Sequence, residues 1–222
     1  MLYSNFYKTL SLPLFKRLIS VIIFIPLIIL PIIFNGIYLV AIYLFFLSLI
    51  LLEIRQMLKL TLNKTYFYWY IFISIFSFFF FIIILLTNIA DTKLFICIIL
   101  VIWVFDTFSY IGGSLLKGVK IFPRISKGKT YTGLLSGFTS VILFSIMLNI
   151  LIEANFIYFI MLNILISFIA FIGDILVSLL KRSSSIKDSG TIMPGHGGLL
   201  DRMDSFILVF FVVGLWRIFT LV

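Results

Sequence analysis

The sequence predicts an all-α polytopic membrane protein with about seven transmembrane helices and a cytoplasmic N-terminus. Three observations carry that expectation. Of the 222 residues, 63% are hydrophobic and only 11% charged, with a mean hydropathy of +1.29. A soluble domain runs nearer a quarter charged, because its surface must stay wet. Apolar runs of about 20 residues recur between sparse charges, the length that crosses a ~30 Å hydrocarbon core. Finally, basic residues fall in alternate gaps between those runs, as cytoplasmic segments do. The short alternating segments of a transmembrane β-barrel are missing. An ordinary soluble protein, a disordered chain and a collagen-like fibre are excluded.

The elements follow in order. Apolar runs place spans at 18–34, 37–52, 66–87, 94–115, 133–152, 156–180 and 204–222. Asn35-Gly36 separates the first two. A single helix over 18–52 would be about 52 Å long, too long for one crossing, so a tight hairpin is expected there. Pro26 and Pro31 are tolerable inside a membrane helix. Lys8, Lys16 and Arg17 would suit a signal peptide, but no small-residue cleavage motif follows, so the first run is expected to be retained. With the N-terminus inside, segments 1–17, 53–65, 116–132 and 181–203 are cytoplasmic and hold 15 of the 17 basic residues. Only Lys93 and Arg217 remain for the other side. Two parts result: a basic segment and transmembrane hairpin over 1–65, and a catalytic transmembrane domain over 66–222 with loops 116–132 and 181–203.

Composition narrows the chemistry. The one cysteine, Cys97, lies in an apolar run, so no internal disulfide framework is expected. The one histidine, His196, excludes a multi-histidine metal site, leaving oxygen-held Mg²⁺, Mn²⁺ or Ca²⁺. The net charge of +9 serves orientation and attraction to anionic lipid headgroups. Without a basic soluble domain, no nucleic-acid partner is expected. The outer loops, 88–93 and 153–155, are too short for a receptor domain. Function is therefore expected at the cytoplasmic face, in the inner or plasma membrane if the source is bacterial.

Polar residues gather over 106–133 and 173–205, which hold five of the eight acids. Asp106 lies well inside the fourth span, where a carboxylate costs a few kcal/mol and needs a partner or a wet cavity. It shares a helical face with Ser109, Tyr110 and Gly113; an interhelical hydrogen bond is the plainer use. Asp174, Ser178 and Lys181 follow at i, i+4 and i+7, a stripe from buried carboxylate to surface cation. Such a stripe suits a cation and a phosphate together. Lys181, Arg182 and Lys187 lie among serines and glycines that could cradle a polyphosphate. Asp201 and Asp204, at i and i+3, open the last span and also suit a helix N-terminus. Gly128-Lys129-Thr130 resembles the tail of a P-loop, but Pro123 stands where its first glycine belongs. The residues thus point to phosphoryl or nucleotidyl transfer on a lipid, with the nucleotide open.

Ser178-Leu179-Leu180-Lys181-Arg182, then Lys187-Asp188, Pro194-Gly195-His196-Gly197-Gly198 and Asp201-Arg202-Met203-Asp204, closely resembles the signature of the phosphatidate cytidylyltransferases, or CDP-diacylglycerol synthases. A second region, Ser126-Lys127-Gly128-Lys129-Thr130-Tyr131-Thr132-Gly133, is similar to the family's Ser-Pro-Lys-Lys-Thr-Trp-Glu-Gly. There Lys127 and Thr132 replace the family's proline and glutamate. The resemblance implies transfer of cytidylyl from CTP to phosphatidate, with Mg²⁺, room for a second cation, and a homodimer. It implies metal ligation by Asp174 and Asp201, and catalytic roles for Asp174, Lys181, Asp201 and Asp204. Substrate contacts would come from Asp106, Lys129, Arg182, Lys187, Asp188, His196 and Arg202. The competing expectations are a CTP-dependent lipid kinase or cytidylyltransferase for another lipid, an ion-coupled transporter, and a catalytically silent relative.

Overall fold

The computed structural model describes residues 26–30, 32–34, 36–62, 64–87, 89–152, 155–192 and 197–221. After helical residues at 26–30 and 32–34 come α1 (Gly36–Leu60), α2 (Thr65–Thr87) and α3 (Ile89–Leu116). A hairpin of β1 (Lys120–Phe122) and β2 (Ser126–Thr130) follows, then α4 (Tyr131–Ile152), α5 (Phe156–Ser183) and α6 (Leu200–Leu221). Leucine, isoleucine and phenylalanine fill these helices, as an apolar solvent requires of segments that satisfy their own backbone.

Among the described residues, five stretches are long and apolar enough to cross a membrane: Ile37–Leu60, Thr65–Ile83, Leu94–Leu116, Tyr131–Ile150 and Phe156–Ser183. The expected first span falls largely outside the described residues. The last, α6, carries Asp201, Arg202 and Asp204 in its first turns and Arg217 near its end.

Several helix ends run past the sequence expectation: α3 begins at Ile89, inside the expected outer loop 88–93, α5 reaches Ser183 and α6 starts at Leu200. Helix α1 continues to Leu60, past the expected break at 52, because no proline or glycine interrupts residues 53–60. The expected loop 116–132 contains the β-hairpin, so the described fold is helical with this one exception. Its strands pair antiparallel, Lys120 with Thr130 and Phe122 with Ser126, with a register irregularity between. Pro123 sets the turn, where Ile125 N donates to Phe122 O at 3.1 Å. The hairpin runs straight into α4, whose Gly133 N donates to Thr130 Oγ1 at 3.1 Å. Thr130 is therefore the N-cap that starts α4.

Small residues set the packing of α4 on α3. A side chain on Gly133 would come within 2.6 Å of the Ser109 carbonyl oxygen, and one on Gly137 would meet the Ser109 hydroxyl and the Phe105 ring. Ser136 Oγ then donates across to Phe108 O at 2.9 Å. Close backbone approach through small residues is how helices associate where no hydrophobic drive separates them from lipid. Elsewhere an aromatic core joins the bundle: the Phe81 ring lies 4.4 Å from Phe210, 4.7 Å from Tyr43 and 4.9 Å from Phe95. Consecutive helices alternate in direction. The last turns of α1, α3 and α5 therefore meet the first turns of α4 and α6 at one end of the bundle.

Candidate functional site

That end holds two clusters of charge. The first surrounds a cavity of about 250 Å³ lined by Asp106, Ser109, Lys129, Thr130, Phe171 and Asp174, among others. Strand β2 delivers Lys129, whose Nζ lies 2.8 Å from Asp174 Oδ2 and 4.8 Å from the Phe171 ring centroid. The ring's negative face adds to the attraction of the carboxylate. Ser178 Oγ donates to Asp174 Oδ1 at 3.3 Å, as the i, i+4 spacing predicts. From α6, Ser205 Oγ donates to Asp106 Oδ2 at 3.4 Å, and Ser205 N to Asp204 Oδ1 at 2.8 Å. Asp106 and Asp174 both border this cavity, and Ser205 joins Asp106 to Asp204.

Asp201 organises the second cluster. Lys181 Nζ donates to its Oδ1 at 2.6 Å, while Ser189 N and Gly198 N donate to its Oδ2 at 2.8 Å and 3.1 Å. Burial opposes ionisation of this carboxyl, but the Lys181 ammonium and the two backbone N–H groups outweigh it. They hold Asp201 below its ordinary range. Gly197 has φ +85°, and a side chain there would come within 2.9 Å of Asp201 Oδ2. Glycine alone suits both the left-handed backbone and the contact. The Lys181 end of the α5 stripe thus turns to Asp201, and Lys129 takes its place at Asp174.

Other expected residues are placed as follows. Arg182 bridges the hairpin turn and the loop after α5, donating to Ile125 O at 3.0 Å and to Ile186 O at 3.1 Å. Lys187, Asp188 and Arg202 are exposed. His196 lies outside the described residues. Thr132, at the position of the family's glutamate, fills the space beside Gly118 and lies 3.2 Å from the Thr130 hydroxyl. Among the described residues no group of three or more Asp, Glu, His or Cys side chains is arranged to hold a metal. Mg²⁺ commonly binds through one or two carboxylates plus substrate phosphates, not an all-protein cage. An Asp174 carboxylate bordering a cavity among other acids fits that mode, and both Asp174 and Asp201 already attract an ammonium.

Sequence reasoning missed Glu53. It is 1% exposed and accepts from Ser189 Oγ at 2.8 Å and from Leu199 N and Leu200 N at 2.9 Å each. The available signal was that Glu53 is the only acid in the first 90 residues.

Several proteins of known name resemble this chain. The chain is 41% identical over 141 residues to the phosphatidate cytidylyltransferase of Rickettsia prowazekii (strain Madrid E), covering 59% of this chain and 60% of that relative. It is 44% identical over 130 residues to the phosphatidate cytidylyltransferase of Rickettsia felis, covering 55% and 56%. With that of Staphylococcus saprophyticus it shares 39% over 112 residues, covering 50% and 43%. The matched part therefore spans between 43% and 60% of these relatives' lengths. The family match is longer, taking in residues 2–219 and so both charge clusters and every helix between them: the chain belongs to the cytidylyltransferase family.

Proposed function

We propose that this protein transfers cytidylyl from CTP to phosphatidate, giving CDP-diacylglycerol and pyrophosphate, with its active site at the cytoplasmic face. The observation that carries the reading is the pairing of two lysine–aspartate units, Lys129–Asp174 and Lys181–Asp201, at one end of a bundle of membrane-length helices. Lipid access is supported by an apolar groove of about 440 Å³ at the same end, lined by Tyr66, Trp69, Tyr70, Leu176, Leu179 and Leu180. A lipid in the groove would keep its chains in the bilayer and its headgroup beside the acids.

In the reaction a phosphatidate oxygen forms a bond to the α-phosphorus of CTP while the bond to the pyrophosphate oxygen breaks. The nucleophile is already ionised at neutral pH, so no strong general base is needed. Lys129 and Lys181 hold phosphate oxygens by charge, and Arg182, Lys187 and Arg202 add positive charge around them. The Gly197-Gly198 turn lets the backbone approach phosphate closely because no side chain intervenes. Mg²⁺ bound through Asp174 and Asp201 would supply neutralisation of the charge that builds on the transferring phosphates. Asp106 and Asp204 would support these ligands or position the nucleotide. Family resemblance further supports a homodimer, and the distribution of lysine and arginine supports seven spans with the N-terminus in the cytoplasm.

The test is turnover by the detergent-purified protein with labelled CTP, phosphatidate and Mg²⁺. Asp201→Asn is expected to lose at least about 100-fold in rate while still folding and unfolding cooperatively. A folded Asp201→Asn protein working at the wild-type rate would remove the assignment.

A further inference from the structure

Glu53 is a buried carboxylate that the reaction above leaves unused. Burying such a group costs several kcal/mol unless its oxygens are satisfied. Its three donors all come from around the turn between α5 and α6, at sequence separations of 136 to 147. Two of them, Leu199 N and Leu200 N, are at the start of α6, where a helix leaves N–H groups without intrahelical partners and favours negative charge.

The surroundings are shaped for a carboxylate. A side chain on Gly190 would come within 2.7 Å of Glu53 Oε1, and one on Gly198 within 2.5 Å of Oε2. Glycine at both places lets the chain wrap the acid from two sides. Ser189 is shared between two carboxylates, its hydroxyl donating to Glu53 and its N–H to Asp201 at 2.8 Å each. The same end of α1 takes a further bond, from Ser184 Oγ to Met57 O at 3.1 Å. An apolar side chain of similar volume could stabilise a bundle equally well. What a carboxylate adds is a fixed geometry for the segments it ties together.

We infer that Glu53 is a positioning residue: by clamping residues 189–190 and 198–200 it fixes Asp201, and through Asp201 Lys181, where they meet the nucleotide phosphates. It acts through Ser189 and the first turn of α6 without touching substrate. The nucleotide's identity rests on the proposed function; the clamp itself does not.

The experiment uses the full chain in detergent with Glu53→Gln, Glu53→Asp and Ser189→Ala. Glutamine keeps the shape but turns an NH₂ group toward N–H donors. Glu53→Gln is expected to speed amide exchange about tenfold or more in peptides covering 188–190 and 197–202, leaving the rest of the bundle protected. It should raise KM for CTP by about tenfold or more and leave KM for phosphatidate within about twofold. Glu53→Asp should restore part of both effects. Ser189→Ala should shift them less in the same direction, and add little on top of Glu53→Gln. Unchanged exchange at 197–202 would overturn the inference, as would faster exchange throughout with both KM values unchanged. If the wild-type chain makes no CDP-lipid, the functional reading falls while the exchange data still decide the clamp. Should Glu53→Gln fail to fold, unchanged exchange in Ser189→Ala overturns it instead.

Discussion

Asp201 balances burial against three donors, and that balance fixes how pH should act. Its folded-state ionisation is held below the ordinary range, so the stabilisation it shares with Lys181 is complete above the unfolded carboxylate value of about 3.9. It is lost as pH falls through the lower folded value. The difference in unfolding temperature between wild type and Lys181→Met should therefore stay constant from about pH 7 to 5 and narrow only below about pH 4. Narrowing already between pH 7 and 5 would contradict the pairing. Spacing along α5 put Asp174, Ser178 and Lys181 on one face, and Ser178 does bond Asp174. Spacing could not show that Lys181 reaches Asp201 20 residues on, or that Lys129 arrives from the hairpin, because partners on other elements are set by packing. Glu53 was hidden for the same reason, its partners lying more than a hundred residues away.

Among the elements, the apolar helices were legible because hydropathy alone defines them. Their ends were not. The sequence offered no breaker between Leu52 and Leu60, and α1 ran on. The hairpin escaped notice because glycine, lysine and threonine in β2 show no alternation of apolar and polar residues. The hairpin aims Lys129 at Asp174, and the cap from Thr130 joins it to α4. The fit of α4 on α3 therefore sets the cavity. Gly133→Val would drive a side chain into the Ser109 carbonyl. It should destabilise the protein by about 1–3 kcal/mol and lower turnover, measured as a fall in unfolding temperature in one fixed detergent. An unchanged unfolding temperature would contradict close packing at that crossing.

For the whole molecule, alternating helix directions bring the hairpin, the loop after α5 and the end of α1 to one end of the bundle. Both charge clusters lie there, beside the apolar groove of Tyr66, Trp69 and Tyr70. The proposed orientation puts this end in the cytoplasm. In a Cys97→Ala background, cysteine at Ser185 should react with an impermeant thiol reagent only from the cytoplasmic side, and cysteine at Asn155 only from the opposite side. The reverse pattern would invert the topology.

The chemistry at that end is tested by product identification with a panel of lipid acceptors. Purified protein would be given labelled CTP and Mg²⁺ with phosphatidate, a polyprenol or a polyprenyl phosphate, with EDTA and Asp201→Asn as controls. CDP-diacylglycerol and pyrophosphate are expected in equal amounts from phosphatidate alone, vanishing in both controls. Product from a polyprenol acceptor and none from phosphatidate would contradict it.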